Sequence, residues 1–237
     1  ATERRAVAVD LPGFGTASNL RSGRMLPQLD RFVADVVAYA GDDAGPAVVV
    51  GNSLGGTLAL RAAERCAELG IAGVVPVAPA GFDMAAWFRL IERNPVLQIL
   101  LSVPTPLPEP VVREAVGRVY ALLAFARPGD VDRRVIDGFT SHHRSRAILT
   151  RQLRAARRLL PELAYPFHLD RVTCPVVLVW GRRDRMVSPQ GIERVVAALP
   201  DTRVELLGDC GHCPQIEAPR RLAELLMDFP RERSAVA

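Results

Sequence analysis

Three residue types that together make a hydroxyl reactive occur in this chain where the backbone is set to turn. Ser53 lies in Gly51-Asn52-Ser53-Leu54-Gly55, a G-x-S-x-G spacing. A serine hydroxyl attacks a carbonyl only when a base removes its proton. Histidine suits that task, because its proton affinity lies near neutrality. Of four histidines, His142 and His143 fall in a polar stretch and read as surface residues. His168 precedes an apolar run and reads as structural. His212 follows Gly211, in a loop directly after the last apolar run of strand character. A carboxylate must orient the imidazole and stabilise its charged form. Asp184, in Gly181-Arg182-Arg183-Asp184, again follows an apolar run. Asp184 alone would pass for a turn residue and His212 for a loop residue. Three such residues in the order Ser, Asp, His, each after its own strand, are read as a triad.

A second chemistry competes for the same stretch. Cys210-Gly211-His212-Cys213 spells the active-site tetrapeptide of protein disulfide isomerases. Paired thiols at this spacing do redox work at a helix N-terminus after an early strand of a small domain. Here they come late in a long chain, and the triad reading already employs His212. Cys66 and Cys174 read as small apolar residues, with no secreted disulfide framework. No second ligand pair has metal spacing, and no cofactor or metal is expected.

These residues need elements to carry them. Residues 6–9 form an apolar run that enters Asp10-Leu11-Pro12-Gly13-Phe14-Gly15, and residues 47–50 form a second run that meets Gly51. Both read as strands buried on both faces. Residues 73–78, 175–180 and 203–207 add three more strands. Helical spacing appears over 26–40, 58–69, 189–199 and 219–229. Such alternation predicts a mainly parallel sheet with helices on both faces. Glycines two residues before and after Ser53 make room for a sharp strand-to-helix turn. The helix that follows directs its first amides at the site, where negative charge would develop.

The alternation stops between residues 81 and 170, where long helical patterns are broken by Pro and Gly. This block reads as an inserted helical cap, leaving residues 1–80 and 171–237 as the core. Its 13 Arg against 9 acidic residues account for the whole formal charge of +4. Arg151, Arg154, Arg157 and Arg158 recur at helical spacing. The stripe is either solvated or, facing the site, a selector for a carboxylate-bearing substrate.

The 237 residues are 49% hydrophobic and 24% charged, a globular composition that excludes disorder. All 30 basic residues are Arg, spread along the chain without aromatic interleaving, so nucleic acid is not an expected partner. No run of 18 apolar residues predicts a membrane span, and Ala1-Thr2-Glu3-Arg4-Arg5 lacks the apolar core of a signal peptide. A cytoplasmic protein acting on a small molecule is the default expectation.

Taken together, these motifs resemble the α/β-hydrolase superfamily over nearly the whole chain. Residues 10–15 resemble the loop after the family's fourth strand, and residues 51–56 its nucleophile elbow. Gly181 to Asp184 resembles the acid loop, and Gly211-His212 the histidine loop. The resemblance implies Ser53 as nucleophile, with the Leu54 amide as one oxyanion donor. Ser53 argues against the dehalogenase and epoxide hydrolase branches, whose nucleophile is Asp. Asn52, Cys210-Gly211-His212, Gln215 and Glu217 look most like the carbon–carbon bond hydrolases of aromatic catabolism, which carry Trp where this chain has Cys213. The resemblance further implies that the chain starts at the family's fourth strand. It would then lack three N-terminal strands and the loop that supplies the second oxyanion amide. The expected function is an ester or acyl hydrolase working through an acyl-enzyme. The alternatives are cleavage of a vinylogous diketone acid, or an inactive fragment or binding module that keeps the fold.

Overall fold

A computed structural model describes residues 5–41, 45–82, 109–141, 155 and 158–229. Four parallel strands form one sheet in the order β1-β2-β3-β4: β1 (Val48–Asn52), β2 (Gly73–Val77), β3 (Val177–Gly181) and β4 (Arg203–Leu207). The central strands β2 and β3 are buried at every position, as their unbroken apolar sequences require.

Side chains alternate across the sheet, and this divides the core. Val74, Leu178 and Trp180 face one layer, packed with Ala59, Leu60 and Ala63 of α2 (Leu54–Ala63), Val37 of α1 (Leu26–Gly41), and Cys66 of α3 (Cys66–Leu69). Val75, Val77, Val177 and Val179 face the other layer, against Leu222, Leu225 and Phe229 on and just after the last helix. Burying each of those three side chains stabilises the fold by about 1.5–3 kcal/mol. Gly73 marks how closely that layer sits: a Cβ there would lie 2.5 Å from the Phe229 ring.

Between β2 and β3 the described elements are α4 (Glu109–Ala124), α5 (Arg133–Ser141), helical residues 158–163, and single 3-10 turns at Pro128–Asp130 and Leu169–Arg171. After β3 follow α6 (Gly191–Ala198), β4, the single turn α7 (Pro214–Glu217), and α8 (Pro219–Asp228). The returning segment is stitched to the core by polar contacts. Glu162 accepts from Met25 N (2.7 Å) and Leu26 N (3.0 Å), so a distant carboxylate caps the amide end of α1. Arg61 forms a two-pronged pair with Asp30 (2.8 and 2.6 Å) and donates to the Pro166 carbonyl. Glu64 accepts from His168 N at 2.7 Å, so His168 serves through its backbone.

Three expectations are corrected. Residues 6–9 form no strand, and Val7 and Val9 are 39% and 47% exposed. Among the described residues no strand lies beside the outer edge of β1, so that run has no ladder to join. An apolar run becomes a strand only when a neighbour completes its hydrogen bonds. For the same reason β1 is not buried on both faces: its pattern is partial, and Val50 is 42% exposed. The helix expected over 58–69 starts earlier, at Leu54, and breaks at residues 64–65 into α2 and α3. His142, His143, Arg151, Arg154 and Arg157 lie outside the described residues.

Candidate active site

Ser53 occupies the single residue between the end of β1 and the start of α2, with φ 55° and ψ −116°. Such a backbone costs a non-glycine residue on the order of 1–3 kcal/mol and persists only where its surroundings impose it. Ser53 N donates to Val77 O (2.9 Å), and Ser53 O accepts from Thr57 N (3.0 Å) and Ala80 N (3.3 Å). Thr57 Oγ1 donates to Ala80 O at 2.8 Å and ties the helix start to the chain leaving β2. The glycine expectation is half right. A Cβ on Gly51 would fall 2.2 Å from the Gly55 backbone, whereas one on Gly55 would meet nothing within 4 Å. The second indispensable glycine is Gly56, whose Cβ would lie 3.0 Å from the carbonyls of Gly51 and Val77. The amides of Leu54, Gly55 and Gly56 have no carbonyl one turn earlier within the helix and sit at its positive end.

Asp184 follows β3 through a tight turn in which Arg183 N donates to Cys210 O (2.9 Å) and Asp184 N to Gly181 O (3.2 Å). Its buried carboxylate takes four donors. Met186 N and Val187 N reach Oδ1 at 2.8 and 2.9 Å, while Trp180 Nε1 and His212 Nδ1 reach Oδ2 at 3.2 and 2.7 Å. Gly181 allows this approach, since a Cβ there would stand 1.9 Å from Gly211 O.

His212 is 2% exposed. An ionised carboxylate only accepts, so the Asp184 contact assigns the ring proton to Nδ1 and leaves a lone pair at Nε2. Nε2 is buried and has no hydrogen-bond partner among the described residues. Hydrogen-bond contact between Ser53 Oγ and His212 Nε2 is therefore not made, a looseness common in substrate-free sites. The His212 loop is nevertheless fixed to the Ser53 turn. Asn52 Nδ2 donates to His212 O (2.8 Å) and Val77 O (3.3 Å), and Gln215 Nε2 donates to Asn52 Oδ1 (3.3 Å). All three expected residues thus sit at the carboxyl ends of the strands. This edge is where open parallel sheets collect ligands.

Sequence reasoning gave Asn52 no task and overlooked Trp180. Trp180 reads as an ordinary core residue, and only the fold of the following turn returns Asp184 to its indole. Cys210 and Cys213 are buried free thiols. Burial, above all, pushes each up to about 11, with the Glu217 carboxylate adding to it. Reactive redox cysteines are shifted the opposite way. Arg158, the one member of the Arg stripe among the described residues, is exposed and donates to the backbone carbonyls of Arg21 (3.1 Å) and Gly23 (2.6 Å). A cavity of about 360 Å³ lies between α4 and α5, lined by Gly117, Ala121, Leu122 and Ile136 among others, and includes none of the three site residues. No helix among the described residues is long and apolar enough to cross a membrane.

Comparison with known proteins places the chain in a family and a fold. The chain is 25% identical over 228 residues to a monoacylglycerol lipase of Bos taurus, with 94% of this chain aligned. It spans 66% of that relative's length. A membrane phospholipase A superimposes with a TM-score of 0.68 at 24% identity, covering 94% of this chain and 68% of the other. A meta-cleavage product hydrolase from Pseudomonas fluorescens gives a TM-score of 0.70 at 18% identity, covering 94% and 78%. These structural likenesses speak for the fold. The sequence profile of the alpha/beta hydrolase family matches residues 1–225, and the chain belongs to that family.

Proposed function

We propose that this chain is a serine hydrolase of carboxylic esters, with Ser53 as nucleophile, His212 as base and Asp184 as its orienting acid. One observation carries the reading. A buried imidazole donates from Nδ1 to a carboxylate at 2.7 Å, and its unengaged Nε2 shares a hydrogen-bonded loop with the turn that bears Ser53. In this mechanism Ser53 Oγ attacks the ester carbonyl as its proton passes to Nε2. The imidazolium is stabilised by Asp184, and the Leu54 amide faces the new oxyanion. The proton then goes to the departing alkoxide, leaving an acyl-Ser53. Water, deprotonated by His212, attacks the acyl carbon and restores the serine. Of the proposed cap, the described chain leaving α4 meets the histidine loop, where His212 N donates to Ala124 O. The lipid esters named in the relatives above make monoacylglycerols and p-nitrophenyl esters the first substrates to try.

A fluorophosphonate probe tests the assignment. It should label the parent, and Ser53→Ala should abolish labelling. A labelled Ser53→Ala variant would move the nucleophile elsewhere, and an unlabelled parent would favour a non-catalytic binding module.

A second reading is favoured by the network joining Asn52, His212 and Gln215, residues that resemble the carbon–carbon bond hydrolases. Turnover of a vinylogous diketone acid above that of aryl esters would establish it. Cys213, standing where that branch has Trp, weighs for the ester.

A further inference from the structure

The histidine loop is held from two sides. The sheet side supplies Asp184 and Asn52. The other side is the chain leaving α4. His212 N donates to Ala124 O at 2.7 Å. Glu217 spans the junction: Oε2 accepts from Gly211 N at 2.6 Å, and Oε1 from Ala126 N at 2.7 Å. Gly211 is pressed flat against the same residues, since a Cβ there would stand 2.7 Å from Ala124 O and 2.8 Å from Ala126 N. Phe125, between them, is fully buried and belongs to one apolar cluster with Cys213 and Tyr120.

On the serine hydrolase reading above, we propose that Glu217 is a positioning residue that clamps the base to the segment between β2 and β3. Each carboxylate oxygen satisfies one buried amide, one on each side of the junction, and bonds to an ionised acceptor are the stronger kind. Three hydrogen bonds and a glycine contact therefore set the peptide from which the His212 ring hangs. The Asp184 contact fixes the ring's rotation about that peptide, while Glu217 fixes where the peptide lies. The position of α4 is thereby transmitted to Nε2. A carboxamide at residue 217 presents one acceptor and one donor, so one buried amide must lose its partner and the junction opens.

The experiment compares the parent with Glu217→Gln, and uses Leu222→Val, in the opposite layer of the core, as a variant of reduced stability with an intact site. p-Nitrophenyl acetate is small enough to leave substrate contacts with α4 out of the result. In folded Glu217→Gln, kcat should fall on the order of 10- to 100-fold, the scale of loss that follows a misplacement near 1 Å. KM should stay within roughly three-fold of the parent, and Leu222→Val should keep the parent's kcat. If Glu217→Gln does not fold, Glu217→Asp, which keeps the charge but withdraws the carboxylate by one methylene, is read in the same way. A folded variant whose kcat lies within about three-fold of the parent overturns the clamp. Failure of fluorophosphonate to label Ser53 in the parent is a different result, and overturns the serine mechanism and the clamp together.

Discussion

Replacing Asp184 by Asn changes one oxygen to NH₂ and leaves the shape of the side chain intact. Four donors point at the carboxylate: Met186 N and Val187 N at Oδ1, Trp180 Nε1 and His212 Nδ1 at Oδ2. An amide can satisfy only one of these pairs as an acceptor. Keeping its oxygen toward the two backbone amides turns NH₂ toward the indole and the imidazole. Trp180 retains the Val187 carbonyl at 3.3 Å as an alternative, so the loss falls on His212. Its Nδ1 must then accept, which moves the ring proton to Nε2 and removes the lone pair that would take the Ser53 proton. Stability should drop by about 1–2 kcal/mol for one weakened buried hydrogen bond, or about 2–8 °C in Tm for a chain of this size. Activity should suffer far more. A wrong tautomer costs on the order of 10⁴ in kcat, or about 5.5 kcal/mol of barrier, with little change in KM. Ester turnover, fluorophosphonate labelling rate and a thermal melt on the same preparation measure all three quantities. Asp184→Asn turning over at more than a tenth of the parent rate would refute the claim that Asp184 sets the tautomer of His212.

The turn at Ser53 makes an asymmetric prediction. Gly51→Ala should destabilise by about 2–4 kcal/mol, because its Cβ meets backbone, while Gly55→Ala should be neutral or stabilising by about 0.5–1 kcal/mol; chemical denaturation of the two variants checks this. Cys210→Ala/Cys213→Ala should keep most esterase activity, and the parent should show no dithiol exchange. The same thiols give a pH dependence. They are raised from 9.0 to about 11 in the fold, so the unfolded chain releases its protons first. Their stabilisation is present below pH 9 and is lost as pH rises toward 11. A parent whose melting temperature falls between pH 8 and 10.5 no faster than the double variant's would contradict this.

The sequence by itself determined much of the fold and site. Unbroken apolar runs at β2 and β3 announced buried parallel strands, because no polar residue in either strand needed solvent. The spacing of Leu26, Leu29, Val33 and Val37 announced α1. The triad candidates were legible because each stands just after a strand, and parallel strands deliver their following loops to one edge. Tertiary structure decided what depends on neighbours. Residues 6–9 are as apolar as a strand, yet strand formation needs a ladder, and none lies beside them among the described residues. Gly55 matches its motif position, yet packing placed the steric demand on Gly56. Trp180, Asn52 and Glu217 acquired their tasks only through contacts between residues distant in sequence or folded back by a turn. Those contacts come from directed hydrogen bonds at the junction of three loops, and hydropathy and spacing carry no record of direction.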